Sequence, residues 1–134
     1  MTANESLPHR FFKGQDDLKG PLPADLVAPS YRADIVGFPP MDAAGHADFG
    51  RAFYAGFPDI YHTIDEVIEP PGHAITRFTL RGTHTGSFMG IPPTGRTITV
   101  SATVILTVED GKVTHLHGIF DQLGLLRQLG VVAV

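Results

Sequence analysis

Three side chains able to transfer protons stand near the end of the chain: His115, His117 and Asp121. Side chains alternate across a strand with a period of two, so these three would share one strand face with Val113 and Ile119. Two imidazoles and a carboxylate among apolar neighbours are typical of a pocket lined by a few convergent polar groups. Desolvation in such a pocket raises the pKa of a carboxyl group, which suits a general acid or base. We therefore predict that Asp121 is the catalytic acid or base and that His117 assists it.

The same residues allow other interpretations. Asp121 precedes a short amphipathic segment, residues 122–129, and is typical of a helix N-cap. His115 and His117 are also compatible with an ordinary sheet surface. With Asp121 they form a ligand set used by non-haem iron. Asp121 would lie about 13 Å from His117 along a straight strand, at ~3.3 Å per residue, so we predict no metal.

A second group of candidates lies in residues 82–96, which are rich in glycine and proline. Glycine and proline do not continue a regular strand, so the chain leaves the sheet here. His84 is predicted to assist catalysis, because a rigid loop at a sheet edge is a common place for a pocket rim. A hydrogen bond within its own loop is an equally good role for His84. The predicted substrate contacts are His115, Phe88, Met89, Phe53 and Arg77.

Helical patterns occupy the first half of the chain. Asp42 is a plausible N-cap for a helix over residues 43–55, and the apolar stripe of that helix includes Phe53. A core position is therefore also a natural role for Phe53. Residues 1–23 contain several glycines and prolines and are predicted to form an extended or partly helical arm. Two adjacent exposed phenylalanines are unfavourable, so we expect Phe11 and Phe12 to dock on the body.

Strand patterns follow the helical ones and end in a hairpin signal, Asp110-Gly111. Helices followed by antiparallel strands indicate an α+β domain, with the helices on one face of a curved sheet. The concave face of such a sheet is a natural ligand site. We predict one domain over residues 1–134, with strands at 60–68, 73–81, 97–109 and 112–120.

The composition is that of an ordinary globular chain. It has 134 residues, 43 % hydrophobic and 18 % charged, with no cysteine. That length fits one core, and the absence of cysteine excludes disulfides, thiolate metal sites and a cysteine nucleophile. A formal net charge of −4, with basic residues scattered singly, argues against a nucleic-acid binder. No apolar run reaches the roughly 18 residues that span a bilayer, and no signal peptide is visible, so we expect a cytoplasmic protein without a membrane partner.

Four segments, taken together, resemble the SnoaL-like polyketide cyclases of the NTF2-like superfamily. They are residues 57–59, 81–96, 110–113 and 121–130. The resemblance implies an NTF2-like, or cystatin-like, cone in which a curved antiparallel sheet and N-terminal helices surround an apolar pocket. It also implies an aspartate on the last strand that acts as acid or base without metal or organic cofactor. Asp121 matches that residue by its position in the motif.

The function implied by the resemblance is an ester cyclase-type reaction: cyclisation of an apolar, oxygenated substrate by an intramolecular aldol step, or a related isomerisation. Many relatives carry Glu-x-Trp where this chain has His115-Leu116-His117, which changes the pocket floor. Two alternatives stay open. One is an epoxide hydrolase or epoxide-opening cyclase, with Arg77 and Asp121 as the candidate pair. The other is a non-catalytic binding or scaffold protein. The resemblance also implies a homodimer.

Overall fold

A computed structural model describes residues 6–132 of the chain. They form one curved sheet with helices packed on its inner face. No helix within these residues is long and apolar enough to cross a membrane. The helices are α1 (Leu7–Leu18), α2 (Ala43–Gly56) and α3 (Gln122–Gln128), and the strands are β1 (Val27–Ile35), β2 (Met41–Asp42), β3 (Tyr61–Ile68), β4 (His73–Thr83), β5 (Thr97–Glu109) and β6 (Lys112–Phe120).

The strands lie in the order β2-β1-β6-β5-β4-β3. All neighbouring pairs are antiparallel except β1 and β6, which run parallel. The predicted α+β class is confirmed, and this parallel pair is the departure from a purely antiparallel sheet. The β1–β6 register shifts between Val27 and Arg32. Pro29 lies inside that interval and has no N–H to give to the ladder, which accounts for the irregularity.

The predicted helix over residues 43–55 is confirmed as α2, and its N-cap is the predicted one. Asp42 Oδ1 accepts a hydrogen bond from the Gly45 N–H at 2.8 Å. The predicted N-terminal arm is more regular than expected, because residues 7–18 form α1 with Ser6 as N-cap. Phe11 and Phe12 dock on the body as predicted and are 0 % and 2 % exposed. The first five residues of the predicted arm lie outside the described part of the chain.

The two faces of the sheet differ along β5, which alternates between exposed and buried side chains. Its inner residues, such as Val104 and Leu106, pack into the core, while Ile105 points outward and is 41 % exposed. Period-two alternation of this kind is typical of a sheet with one covered face. Only side chains at the inner positions of β5 can therefore line a site between the sheet and the helices.

Truncating neighbouring β5 residues should separate the two faces. Leu106→Ala removes a fully buried side chain, so we expect the free energy of unfolding to fall by about 2–5 kcal/mol. Ile105→Ala removes a partly solvated one and should cost about 1 kcal/mol or less. Urea unfolding of both variants measures the difference. Equal losses would contradict the assignment of faces.

Candidate active site

A cavity lies between α1, α2 and the inner face of the sheet. Its volume is about 80 Å³, which is smaller than the usual range of sites for drug-sized ligands. No charged side chain lines it among the described residues. The lining residues are Phe12, Gln15, Ile35, His46, Phe49, Gly50, Phe53, Tyr54, Ile60, His62, Phe78, Leu80, Ala102, Val104, Leu116, Gly118, Ile119 and Phe120.

Gly118 of β6 lies in the floor of the cavity, where the packing leaves no room for a side chain. A Cβ atom at Gly118 would lie 3.0 Å from Val104 Cγ1 and 3.2 Å from Leu116 Cδ2, closer than ordinary contact. Aromatic rings from both helices and the sheet, together with aliphatic side chains, form the walls. Such a surface suits a neutral ligand with extended apolar area, since desolvating a charge here would be unfavourable.

Asp16, at the end of α1, binds two of the polar residues of the cavity. Its carboxylate accepts hydrogen bonds from the Tyr54 hydroxyl at 2.5 Å, the His62 backbone N–H at 2.9 Å and His62 Nδ1 at 2.7 Å. The His62 ring stacks on Phe12 with centroids 4.9 Å apart and lies 4.8 Å from the Phe78 ring. A carboxylate on α1 thus fixes a histidine of β3 in an apolar wall.

The electrostatics of Asp16 favour its ionised form. Burial by itself raises the pKa of this carboxyl, but the side-chain hydrogen bond and charge of His62, with the further hydrogen bonds, outweigh it and lower the net pKa below the ordinary value. Burial and the bond to Asp16 raise the pKa of Tyr54 well above its usual range, so its hydroxyl keeps its proton. The ionised Asp16 can accept a hydrogen bond from a protonated Nδ1 of His62. Nε2 of the same neutral ring then carries no proton and can act as a base.

A second histidine of the cavity has a neutral partner. His46 Nδ1 lies 2.8 Å from the Tyr31 hydroxyl, and the two rings are nearly parallel. Burial, with a smaller contribution from the charge of His62, lowers the pKa of His46 to about 4. Burial also raises the pKa of Tyr31 far above neutrality. At neutral pH this pair is uncharged and can serve as a hydrogen-bond donor or acceptor.

Asp121, the predicted catalytic acid or base, lies outside this cavity. Its side chain is exposed, and its Oδ1 accepts a hydrogen bond from the Gly124 N–H at 2.8 Å. It is the N-cap of α3, the alternative weighed from the sequence. The prediction of an apolar environment for Asp121 is wrong because a register shift against β5, after the buried Val113, changes the phase of β6. Beyond this shift the inner positions are Leu116, Gly118 and Phe120, which carry no carboxylate.

His115 and His117 also fail to line the cavity, contrary to prediction. They share the outer face of β6, where His117 is exposed and the two rings stack with centroids 4.0 Å apart. His115 Nε2 donates a hydrogen bond to Asp34 Oδ2 at 2.6 Å. The carboxylate that completes this group is therefore Asp34 of β1 rather than Asp121.

His84 is fully buried inside the glycine-rich loop. Its Nδ1 accepts the Thr94 N–H at 3.1 Å and lies 2.9 Å from the Thr94 hydroxyl. The alternative weighed from the sequence, a hydrogen bond within its own loop, is confirmed, and the predicted approach of His84 to the cavity is wrong. The loop closes around the ring, so Thr94 takes the hydrogen-bonding capacity of Nδ1.

The loop itself docks on the end of α2 and does not form the predicted rim. The backbone N–H groups of Thr85 and Gly86 donate to the Gly56 carbonyl at 3.2 and 3.0 Å. A Cβ atom at Gly86 would lie 2.0 Å from the Ala55 carbonyl oxygen, so only glycine permits this approach. The remaining loop candidates, Phe88 and Met89, do not line the cavity, as Phe88 packs on Phe53 in the core and Met89 is 54 % exposed.

Two further predicted contacts have different outcomes. Phe53 lines the cavity, so its role as a substrate contact stays a prediction with the required position. Arg77 lies on the outer face, where its Nε donates to Glu66 Oε1 at 3.3 Å. Arg77 and Asp121 both line a shallow depression there, outside the apolar cavity. The prediction of Arg77 as a contact in an apolar pocket is wrong.

The residues that sequence reasoning missed are Asp16, His62, His46 and their tyrosine partners. A helical signal for α1 was present, since Phe11, Phe12 and Gln15 recur at spacings typical of one helix face. His46 likewise lies four positions before Gly50 and seven before Phe53 on one stripe of α2. No local pattern pairs Asp16 with His62, because they are 46 residues apart.

Comparisons with known proteins agree with this architecture. The model of a family described as SnoaL-like polyketide cyclase matches residues 22–129. AclR of Streptomyces galilaeus, named as a candidate hydroxylase, has a TM-score of 0.84 and 22 % identity over 96 % of this chain and 85 % of its own. IdmH of Streptomyces antibioticus, a candidate polyketide cyclase, has a TM-score of 0.80 and 26 % identity over 96 % and 99 %.

A third similar structure, from Catenulispora acidiphila, has a ketosteroid isomerase-like fold. Its TM-score is 0.78 with 12 % identity over 94 % of this chain and 93 % of its own. These likenesses confirm the predicted NTF2-like fold. No curated protein sequence matches the chain.

Acid should destabilise the protein through His46. Its pKa is about 4 in the folded protein and near 6.5 when unfolded, so the unfolded state binds more protons between these values and stability falls as pH falls. The loss should reach about 3 kcal/mol by pH 4, since each pKa unit corresponds to about 1.4 kcal/mol. Urea unfolding measures this loss of unfolding free energy. Wild type and His46→Gln are compared at about pH 7.0, 5.5 and 4.5, which cover this window.

The variant should lose less stability than the wild type over this window, whereas the exposed control His73→Gln should behave as the wild type does. Asp16 does not confuse the comparison. Its stabilising contribution is present above the ordinary aspartate pKa of 3.8 and is lost only below it. Parallel curves for wild type and His46→Gln would show that His46 is not the buried neutral group.

Proposed function

The chain belongs to the SnoaL-like polyketide cyclase family, and on that premise we propose that it is an enzyme performing acid–base chemistry on an apolar, oxygenated small molecule. His62, oriented by Asp16, transfers the proton. The reaction is an intramolecular aldol cyclisation or a related isomerisation, and it uses no cofactor. The observation that carries the proposal is a carboxylate-bound imidazole whose ring forms part of an apolar cavity wall.

The chemistry of the cavity defines the substrate class. Its lining is mostly aromatic and aliphatic, and its polar side chains are Gln15, His46, Tyr54 and His62. Gln15 Nε2 is already bound to the Gly20 carbonyl at 3.1 Å, and the Tyr54 hydroxyl is bound to Asp16. A fitting ligand is therefore neutral and largely apolar, with a small number of oxygens facing the two histidines. Polycyclic ketones meet this description.

The proposed proton transfers balance without an added reactant. Nε2 of His62 takes a proton from a carbon next to a carbonyl, and the ionised Asp16 stabilises the imidazolium that forms. The resulting enolate carbon attacks a second carbonyl of the same molecule. The proton on Nε2 then passes to the new alkoxide, which returns His62 to its starting state. In an isomerisation the proton returns to a different carbon instead.

His46 is the proposed donor to the oxygen on which charge develops. When the Tyr31 hydroxyl donates to Nδ1 of His46, the proton of the neutral imidazole is on Nε2 and available to an enolate oxygen. A neutral imidazole suits this task, because it stabilises the anion by a hydrogen bond and loses its own N–H proton only at very high pH. Burial lowers the pKa of the His46 imidazolium, which keeps the ring in this neutral form.

His62 replaces the aspartate expected on the last strand. The inner positions of β6 offer no carboxylate, and Asp121 caps α3. The alternative of an epoxide hydrolase is weaker, since its candidate pair, Arg77 and Asp121, lies on the outer face and no arginine lines the cavity in the described chain. The scaffold alternative is weaker because the cavity is not filled by side chains. A homodimer in the cytoplasm stays an expectation.

The test is deuterium exchange at the acidic carbons of a panel of polycyclic ketones, followed by NMR, together with ligand binding by calorimetry. His62→Gln should lower the exchange rate by about 100-fold or more, the usual contribution of a general base, while the ligand still binds. Asp16→Asn should lower it as well, because it no longer orients the imidazole or stabilises its charged form. The exposed control His73→Gln should exchange at the wild-type rate.

Two results would overturn the proposal. Unchanged exchange in His62→Gln would remove His62 as the base even if ligands bind. Absence of both binding and exchange in the wild type across the panel would favour the scaffold alternative. Because Asp16→Asn also weakens the contact between α1 and β3, its thermal unfolding is measured alongside, and His62→Gln decides the point if Asp16→Asn is unstable.

A further inference from the structure

A second histidine cluster lies on the opposite face of the sheet from the cavity. Asp34 of β1 and His115 and His117 of β6 bring a carboxylate oxygen and two imidazole nitrogens within 4.8 Å of one another. His115 Nε2 is 2.6 Å from Asp34 Oδ2. The imidazoles stack with an interplanar angle of 5°. None of the three lines the cavity, so the proposed catalytic chemistry does not use them.

The parallel pairing of β1 and β6 creates this cluster. In its register Asp34 is the partner of His117, and Arg32 is the partner of His115. Partners in adjacent strands point to the same face, and residues two apart along β6 do so as well. Both imidazoles are therefore next to one carboxylate without any special loop geometry.

We propose that Asp34, His115 and His117 form a binding site for one divalent transition-metal ion, with Zn²⁺ as the reference ion. Imidazole nitrogen and carboxylate oxygen are among the ligands that Zn²⁺ prefers, and three protein ligands with a water complete a tetrahedron. Ligand atoms about 2.1 Å from zinc are about 3.4 Å apart in that geometry. Small rotations of these partly exposed side chains bring atoms within 4.8 Å to this separation.

Binding replaces a hydrogen bond with metal ligation. Nε2 of His115 donates a hydrogen bond to Asp34. If that nitrogen ligates the metal, the proton of the neutral ring is on Nδ1 instead. The carboxylate then contributes a negative charge to the ion in place of accepting that proton. Protons compete with the metal for the imidazole nitrogens, so acid should weaken metal binding.

The surrounding charge is compatible with a cation. Arg32 brings one positive charge to the same face, but it is exposed, and water and salt weaken its repulsion. The side chains of Asp34 and His115 retain 41 % and 31 % of their exposure, so an ion can reach them without opening the fold. The bound ion would join β1 to β6 by a link between side chains, in addition to the backbone ladder.

The experiment is a calorimetric titration of the full chain, prepared without a polyhistidine tag and treated with a chelator, with Zn²⁺ at pH 7.5, roughly one unit above the ordinary histidine pKa. The wild type should bind one equivalent. His117→Ala and Asp34→Asn should each weaken binding roughly tenfold or more. Removing a group that only supports a metal ligand already lowers metal affinity by about tenfold, and removing a ligand should cost at least as much. Visible bands of Co²⁺ in the same site report its coordination independently.

Matched controls separate this cluster from the other histidines. His73→Ala removes an exposed histidine outside the cluster and His62→Gln removes one from the cavity, and both should bind Zn²⁺ as the wild type does. The melting temperature should rise with Zn²⁺ in the wild type but not in His117→Ala. The proposal is overturned by absence of stoichiometric binding, by unchanged binding in His117→Ala and Asp34→Asn, or by loss of binding in His62→Gln.

Discussion

The set of hydrogen bonds made by Asp16 is the interaction on which the rest of the site depends. One carboxylate at the end of α1 holds a hydroxyl of α2 and both a backbone and a ring N–H of His62 on β3. It therefore closes the first helix over the sheet and, in the same contact, sets the tautomer of His62. The same three hydrogen bonds compensate the half-buried charge of Asp16 and orient His62. Stability and the orientation of the imidazole are therefore coupled at this residue.

Much of the fold could be predicted from the sequence because its signals are local. The cap at Asp42, the alternation along β5 and the Asp110-Gly111 turn each depend on neighbours within a few residues. The prediction that the histidines of β6 face the pocket is wrong for a physical reason. The histidines lie on the outer face, and the cavity is lined by the apolar positions of that strand and receives its polar groups from α1, α2 and β3. Those partners are distant in sequence, so no spacing rule connects them.

The histidines are divided between the two faces of one sheet, and their surroundings give them different properties. His46 and His62 are enclosed by aromatic rings, so each needs a specific hydrogen-bond partner, which is Tyr31 for His46 and Asp16 for His62. Burial lowers the pKa of His46. His115 and His117 are in contact with solvent and with each other, so they respond to what the solution contains. The same side chain is thus proposed for proton transfer on one face and for metal coordination on the other.

The docking of the glycine-rich loop on α2 has a consequence for the timing of ligand exchange. Thr85 and Gly86 bind the last carbonyl of the helix, and the fit at Gly86 leaves no space for movement toward Ala55. A segment held in this way is not free to swing over the cavity, so this loop does not act as a lid. With respect to this segment, the time that a ligand stays bound depends on the contacts that it makes inside the cavity and not on the motion of a gate.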